Sequence, residues 1–512
     1  MFAIGAVGVG KPAPVACTRC LERKLAILWK RVDRADTSLA EAECRDAVAS
    51  AAAAGFPLAL TNARIGQNWS LIVPWPDCDE CRQVRPHALG LCRAVDSAAE
   101  LPQEVSWSSG VPRAGTADAF VHQHRAWFGF ASVLINPAMD DSHSVFTADT
   151  AMFMDEHEQL APVGGKGPTR MQALASCLGE GIERYSLVAG LDRRELVTKR
   201  VGDVRAEGAP WLPAEDFDGS SVELDSEDVV ELVPLESLSS GARRLFPASL
   251  VFAPFTPGEG HKSPTPSSTT GAAAGATLEE ATVQAVLELI ERDSFWYYSR
   301  CGGTLPELAL DDEPLAAMIA QGQRVSIHAT ALPNPFRVPV VHVTMARLDA
   351  RGSSRTARGM GASTTWASAA RKALIEALQM LRSLDTGIDV VPSITDMRAV
   401  WYDGTSRELF PQFFQSVGRN SVQAPDRSVE LSPKTESAAE LLASLVERAE
   451  AAGVGLFRHI LDRGARYVAV RCIADRILPL DDQYFPSLNR FGDWSLVDGS
   501  SPRRTYSGPL FM

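Results

Sequence analysis

The segment 279–293, EEATVQAVLELIERD, places acidic and amide side chains within an otherwise largely apolar stretch. Successive residues of an α-helix are rotated by about 100°, so four of these polar side chains fall within an arc of roughly 80°. They are Glu280, Gln284, Glu288 and Glu291. The rest of the helix surface is built from Val, Ala, Leu and Ile, which is too apolar for a helix that lies on water. The pattern predicts a buried helix with one polar stripe.

A row of buried carboxylates has a high free-energy cost unless a cation lies among them. Each carboxylate also raises the pKa of its neighbours. Magnesium prefers carboxylate oxygens and keeps phosphate and water as further ligands, so a magnesium ion fits such a stripe. A solvated glutamate face on a partly exposed helix is the simpler alternative for this segment alone.

Two more segments repeat the spacing i, i+4, i+7. In ASCLGEGIERYS the positions are Ser176, Glu180 and Glu183, followed by Arg184; in RKALIEALQML they are Lys372, Glu376 and Gln379. Three matching stripes favour one shared site over three solvated faces. Glycine-containing turns are predicted before each helix, at 164–167, 270–275 and 359–363. Backbone amides in such turns can approach phosphate, and Lys166 adds a positive charge. Together these features predict a magnesium–nucleotide site.

Composition narrows the class of protein. The chain has 512 residues, 45% of them hydrophobic, and a formal net charge of −13, which argues against a broadly electropositive nucleic-acid binder. No stretch offers the roughly 18 apolar residues of a membrane helix, and the start lacks a basic flank, so we expect a cytoplasmic protein without a membrane partner. Strand-like and helical runs alternate, with VSIHATAL and VPVVHVTMARL as predicted strands. The mixture favours an α+β or α/β fold.

Two cysteine pairs stand near the start of the chain, Cys17-Thr-Arg-Cys20 and Cys78-Asp-Glu-Cys81. Four thiolates from two such pairs can close a tetrahedron around zinc, which leaves no open position for chemistry. The prediction is therefore a structural zinc ion in a small α/β domain. Unliganded thiols and a redox pair are the alternatives.

The three striped segments together resemble the ATP-binding motifs of the YcaO family. They read GKGPTRMQALASCLGEGIERYS, GAAAGATLEEATVQAVLELIERDSFW and GMGASTTWASAARKALIEALQ. The resemblance implies an α+β ATP-binding fold over about 125–490, in which ATP activates a backbone amide oxygen of a peptide. It implies Mg²⁺ ligands at Glu180, Glu183, Glu288 and Glu291. It implies nucleotide contacts at Ser176, Glu280, Gln284, Lys372, Glu376 and Gln379, with Lys166, Arg184 and Arg292 nearby. Each of the two arginines also has the alternative of a purely structural ion pair.

The cysteine pairs resemble the zinc-bearing ThiF-like portion that accompanies many azoline-forming members of the family. We therefore predict a partial ThiF-like domain at 1–120 and a C-terminal tail at 491–512. The implied partners are a ribosomally made precursor peptide and a separate ThiF-like protein that binds its leader. A flavin dehydrogenase and a homodimer are left open.

The resemblance implies a cyclodehydratase that makes thiazoline or oxazoline rings from Cys, Ser or Thr. Two positions and the C-terminal segment depart from the family's usual pattern: Thr270 replaces Asn, Lys372 replaces Arg, and the end RRTYSGPLFM replaces a PxPxP tail. A YcaO enzyme that forms a thioamide or another backbone modification is one alternative. A non-catalytic scaffold of a biosynthetic complex is the other.

Overall fold

The computed structural model of the chain describes residues 2–6, 58–62, 66–70, 105–108 and most of 111–475. The gaps after residue 111 are 125–126, 129–132, 135–136, 141–144, 154–159, 209–223, 265–266, 302–304, 311–314, 317–318, 320–324, 349–353, 386–412, 414–425, 432–436 and 464–466. Cys17, Cys20, Cys78 and Cys81 lie outside the described residues, so the zinc site stays a prediction. The tail 491–512 also lies outside them.

The described strands, in chain order, are β1 Phe2–Ala6, β2 Leu58–Asn62, β3 Gly66–Ser70, β4 Val105–Ser108, β5 Val111–Ala114, β6 Ala138–Asp140, β7 Phe146–Phe153, β8 Leu160–Gly167, β9 Val197–Arg200, β10 Val229–Ser237, β11 Arg243–Pro247, β12 Ala272–Gly275, β13 Ser326–Ala331, β14 Val340–Leu348, β15 Ser354–Ala362, β16 Leu456–Arg463 and β17 Val468–Ala474. The described α-helices are α1 Ala117–His124, α2 Arg170–Ala189, α3 Val201–Ala206, α4 Ala248–Val251, α5 Leu278–Cys301, α6 Trp366–Asp385 and α7 Ala438–Ala451.

Antiparallel sheets form the framework. The largest has the order β11-β10-β16-β17-β12, with β9 also paired to β10. Separate three-stranded sheets are β1-β2-β3, β6-β7-β8 and β13-β14-β15, and β4 pairs with β5. The strands predicted from VSIHATAL and VPVVHVTMARL are confirmed as β13 and β14. The mixture of helices and sheets is as predicted.

The three striped segments form three equivalent helix-on-sheet units. Helix α2 packs on β7 and β8, α5 packs on β12 and β17, and α6 packs on β14 and β15. In every unit the helix directly follows the strand it packs against, namely β8, β12 or β15. This repeated connection brings the polar stripes to corresponding places in the fold.

A threonine begins each of the three helices. Thr169, Thr277 and Thr365 each accept a hydrogen bond at 3.2 Å, through the side-chain oxygen, from the backbone amide three residues later. Such caps satisfy one of the amides that a helix leaves unpaired at its N-terminus. Because each cap lies two or three residues after its strand ends, the three helices start in the same relation to their strands.

The prediction of glycine turns at 164–167 and 359–363 is wrong for most of these residues, because they lie in β8 and β15. A Cβ atom on Gly165 would lie 2.1 Å from the carbonyl oxygen of Ala173, and one on Gly359 would lie 2.1 Å from that of Ala373. These glycines therefore let a strand press against its helix. In the predicted turn at 270–275, only the first two residues lie in a turn, with a φ of 82° at Gly271, and the rest form β12.

The apolar surface of α5 is buried as predicted. Val283, Val286 and Leu287 are at most 2% exposed and belong to a core that also includes residues of α7 and β17. Among the helices in the described part of the chain, none has the length and apolar character needed to cross a bilayer.

His342 lies on β14 with no exposed surface and forms a cluster with the rings of Phe295 and Phe413, at centroid distances of 5.4 and 4.3 Å. Burial, and then the charges of Arg358 and His328, hold the pKa of His342 well below 6.5. The unfolded chain binds a proton here below about pH 6.5, whereas the folded chain stays neutral.

The free energy of unfolding therefore contains a contribution from His342 that is present above pH 6.5 and is lost as the pH falls, by up to about 1.4 kcal/mol per pH unit. We expect His342→Leu to reduce the loss of stability between pH 6.5 and 5.5 in urea unfolding. His122→Leu, at an exposed histidine of α1, is the matched control. An equal acid sensitivity of wild type and His342→Leu would contradict a neutral buried imidazole.

Candidate functional site

The three polar stripes meet in one cleft of about 1110 Å³. Its wall is formed by α2, α5 and α6, by the strands that precede them, and by the segment that joins β5 to α1. All of the predicted magnesium and nucleotide residues line this cleft: Lys166, Ser176, Glu180, Glu183, Arg184, Glu280, Gln284, Glu288, Glu291, Arg292, Lys372, Glu376 and Gln379. The structure thus brings together side chains up to 213 positions apart in sequence, 166 and 379 being the extremes.

On α2, Glu180 accepts a hydrogen bond from the backbone amide of Gly164 in β8 at 3.2 Å. Its other carboxylate oxygen accepts one from Arg184 Nε at 2.8 Å. Arg184 therefore forms the ion pair proposed as its structural alternative, and it does so while lining the cleft. Glu183, one turn further, faces the same space.

Helix α5 repeats this arrangement. Glu288 accepts a hydrogen bond from the amide of Gly271 at 3.2 Å and pairs with Arg292 at 3.3 Å. Glu291 accepts one from the amide of Ala362, at the end of β15, at 2.8 Å. Each carboxylate is thus oriented by a backbone amide of a neighbouring strand or turn, which fixes where its remaining oxygen lone pairs are directed.

Three carboxylates of this cleft resist ionisation. Burial raises the pKa of Glu183 well above 4.5, and the charges of Glu288 and Glu180 raise it further. Burial also raises the pKa of Glu288, and burial followed by the charge of Glu376 raises that of Glu291 to about 7. A divalent cation between them would favour the ionised forms. The donor set therefore fits Mg²⁺.

Within the described ranges, no group of three His, Cys, Asp or Glu side chains forms a ready-made metal cage. Mg²⁺ usually takes one or two carboxylates and completes its shell with phosphates and water. Gln284 contributes an amide group to the cleft, and its Nε2 atom is buried with no hydrogen-bond partner. That amide is a donor for a ligand in the cleft.

A basic side of the cleft faces these acids. Lys166 on β8 pairs with Glu376 on α6 at 3.2 Å, and Lys372 donates to the carbonyl oxygen of Ala362 at 3.0 Å. Burial, and then the charge of Arg113, lowers the pKa of Lys372 to about 8. Lys372, not its exposed neighbour Arg371, lines the cleft.

Sequence reasoning missed several residues of the site. Asp149 and Gln172 line the cleft from β7 and α2, and Arg113 enters it from β5. Arg471 lies on β17 with no exposed surface and donates to the carbonyl oxygen of Leu250 at 2.8 Å; it acts on the site through its charge, which partly offsets the rise that burial causes in the pKa of Glu183 and Glu288. Gln172 precedes Ser176 by four residues and so extends the stripe of α2, a position that the sequence itself indicates. The other three lie outside the stripes, so only the tertiary structure reveals them.

Comparison with known families identifies this arrangement. Residues 164–475, more than half of the chain, match the sequence model of the family described as YcaO cyclodehydratase, ATP- and Mg²⁺-binding. The chain belongs to the YcaO family. The matched range begins with the glycines of β8 and ends with β17, so it contains all three striped helices.

Individual relatives are distant from this YcaO chain. An uncharacterized protein of Methanothermobacter thermautotrophicus (strain Delta H) is 27% identical over 282 residues, which are 51% of this chain and 64% of that protein, less than two thirds of its length.

Two solved structures share the fold. A heterocyclase in complex with substrate and cofactor aligns with a TM-score of 0.74 at 16% identity, covering 100% of this chain and 76% of that one. YcaO from Methanopyrus kandleri bound with AMPPCP and Mg²⁺ aligns with a TM-score of 0.56 at 21% identity, covering 73% and 95%.

Proposed function

We propose that this YcaO protein binds Mg²⁺–ATP in the three-helix cleft and uses it to activate backbone amides of a ribosomally made precursor peptide, forming thiazoline or oxazoline rings. The observation that carries the proposal is the convergence of Glu183, Glu288 and Glu291, with raised pKa values, on one cleft that also holds basic side chains. The buried acids match the positive charge of the magnesium ion, and the basic side chains opposite them match the negative charge of the phosphates.

One group of residues in the cleft would bind the magnesium ion, and another would bind the phosphates. Glu180, Glu183, Glu288 and Glu291 would hold Mg²⁺. When bound, the ion would neutralise phosphate charge as it develops. Lys166 and Lys372 would contact phosphate oxygens, and both now rest on acceptors that phosphate can replace, namely Glu376 and the carbonyl of Ala362.

The reaction needs positioning and electrostatic stabilisation more than a protein nucleophile. A Cys, Ser or Thr side chain of the peptide adds to the preceding amide carbon. The proton of that side chain is released as the former carbonyl oxygen takes the γ-phosphoryl group of ATP. This oxygen then leaves as phosphate with loss of a proton from nitrogen, which leaves the ring and ADP. The buried thiols of Cys177 and Cys472 agree with a reaction that uses no protein nucleophile, because burial raises the pKa of each to about 12 and suppresses the thiolate.

The N-terminal zinc site, the leader-binding partner, the flavin dehydrogenase, the homodimer and the cytoplasmic location remain predictions. The heterocyclase that shares the fold supports ring formation as the function. The departures from the family pattern at Thr270, Lys372 and the C-terminus make thioamide formation, another backbone modification and a scaffold role the alternatives that an assay must distinguish.

Incubation of the purified protein with ATP, Mg²⁺, a leader-binding protein and a Cys/Ser/Thr-rich precursor peptide tests this function. We expect the peptide to lose the mass of one water per ring while ADP and phosphate form in equal amounts. ATP consumption without loss of water would instead favour thioamide formation or another backbone modification. A stable complex with no ATP turnover would favour a scaffold.

A further inference from the structure

Arg113 connects the N-terminal part of the chain to the cleft. It lies on β5, outside residues 164–475 that match the family, and its Nη1 atom donates to Glu280 Oε1 on α5 at 2.7 Å. The side chains are 27% and 8% exposed, so the pair is largely withdrawn from water. Partial burial makes such a charged hydrogen bond stronger than a surface ion pair.

The Glu280 carboxylate is held from both sides. Its second oxygen accepts hydrogen bonds at 3.3 Å from the amides of Ala114, next to Arg113, and of Ala276, two residues before α5. The segment that contains Arg113 therefore supplies two of the three donors to a side chain predicted to contact nucleotide. Without that segment, Glu280 would keep one of these donors and a different orientation.

The segment around Arg113 is anchored to the rest of the fold. Val111 has no exposed surface and belongs to the same apolar core as α5 and α7. Helix α1, which follows, packs on α2, and His124 at its end meets the rings of Phe120 and Tyr467. Anchors on both sides hold Arg113 and residues 114–118 along the wall of the cleft.

We propose that residues 111–124 are a built-in wall of the nucleotide cleft and that Arg113 is the residue that positions Glu280 for the nucleotide. This inference rests on the proposed function. Glu280 precedes Glu288 by eight residues, or about 12 Å along a helix. The Arg113–Glu280 pair thus defines one end of the site, and the magnesium-binding carboxylates define the other. The family's three motifs alone do not complete the cleft.

A double-mutant cycle tests the pair with a non-hydrolysable ATP analogue and Mg²⁺. We expect Arg113→Met and Glu280→Gln each to raise the Kd about tenfold, and the double variant to bind no more weakly than either single one, because both changes remove the same interaction. Arg113→Lys should restore part of the affinity. Arg194→Met removes an exposed ion pair with Asp192 at 2.6 Å, and is the matched control with an unchanged Kd.

Hydrogen exchange supplies a readout that a structural role alone would not change. On binding of the analogue, we expect the amides of 111–124 to become more protected in the wild type and much less so in Arg113→Met. Wild-type binding that Arg113→Met leaves unaltered, or additive effects in the double variant, would overturn the role of Arg113 while leaving the proposed function intact. Failure of the wild type to bind the analogue would instead overturn the proposed function.

Discussion

Replacement of Glu288 by glutamine is expected to weaken binding of Mg²⁺–nucleotide by about 100-fold, the upper end of the loss seen when a group that supports a metal site is removed. Glutamine keeps the shape and can still accept the hydrogen bond from Gly271, so the change removes mainly the charge. Isothermal titration calorimetry with a non-hydrolysable ATP analogue, at saturating Mg²⁺, measures the loss.

The same substitution should stabilise the ligand-free protein. The raised pKa of Glu288 means that its contribution to stability is present below the unfolded value of about 4.5 and is lost as the pH rises through its folded pKa. Above that folded pKa the buried carboxylate opposes folding, and glutamine removes this effect. We expect Glu288→Gln to bind Mg²⁺–nucleotide more weakly and to have a higher Tm. This combination is typical of a residue that serves function at a cost to stability.

Glu279→Gln is the matched control, because the side chain is on the same helix and does not line the cleft. It should alter neither the Kd nor the Tm appreciably. If Glu288→Gln bound Mg²⁺–nucleotide as the wild type does, Glu288 would not be a magnesium ligand.

Replacement of Gly359 by alanine is expected to destabilise the fold by about 3 kcal/mol or more, at the upper end of typical overpacking costs. The added Cβ would meet two backbone atoms of α6, the carbonyl oxygen of Ala373 at 2.1 Å and the amide of Ala377 at 2.3 Å. Backbone cannot rotate away as a flexible side chain can, so β15 and α6 must separate. The change in the free energy of unfolding, measured in urea, checks this.

Gly179→Ala is the same chemical change, but it should increase the free energy of unfolding instead of decreasing it. Gly179 lies within α2, and no atom lies within 4 Å of the position that its Cβ would take. Alanine should therefore stabilise the helix by up to about 1 kcal/mol. A small effect at Gly359, comparable in size to that at Gly179, would contradict close strand–helix packing as the reason for this glycine.

The stripes could be predicted from the sequence because helix geometry is local. Residues four and seven positions apart lie on the same face of a helix. An apolar helix with one acidic face must bury its apolar side in the core and direct its acids into a polar site. Helices α2, α5 and α6 and strands β13 and β14 are accordingly found where predicted. Each threonine cap lies two or three residues after the glycine-containing strand that precedes its helix.

The remaining features depend on contacts that no local pattern encodes. The glycines of β8 and β15 look like phosphate-binding turns in sequence, and only the packed helix shows that they allow close approach. Arg113 is 167 positions from Glu280, in a polar run that looks like a connection between domains. The family resemblance also could not indicate Arg113, since it begins beyond that segment.

Calorimetric titration of the wild-type protein with a non-hydrolysable ATP analogue, with and without Mg²⁺, tests the central claim most directly. We expect saturable binding of one analogue per chain that requires Mg²⁺ and is abolished by chelation of the metal. Binding that is absent, or that is equally tight without Mg²⁺, would contradict a magnesium–nucleotide site at the meeting point of the three helices.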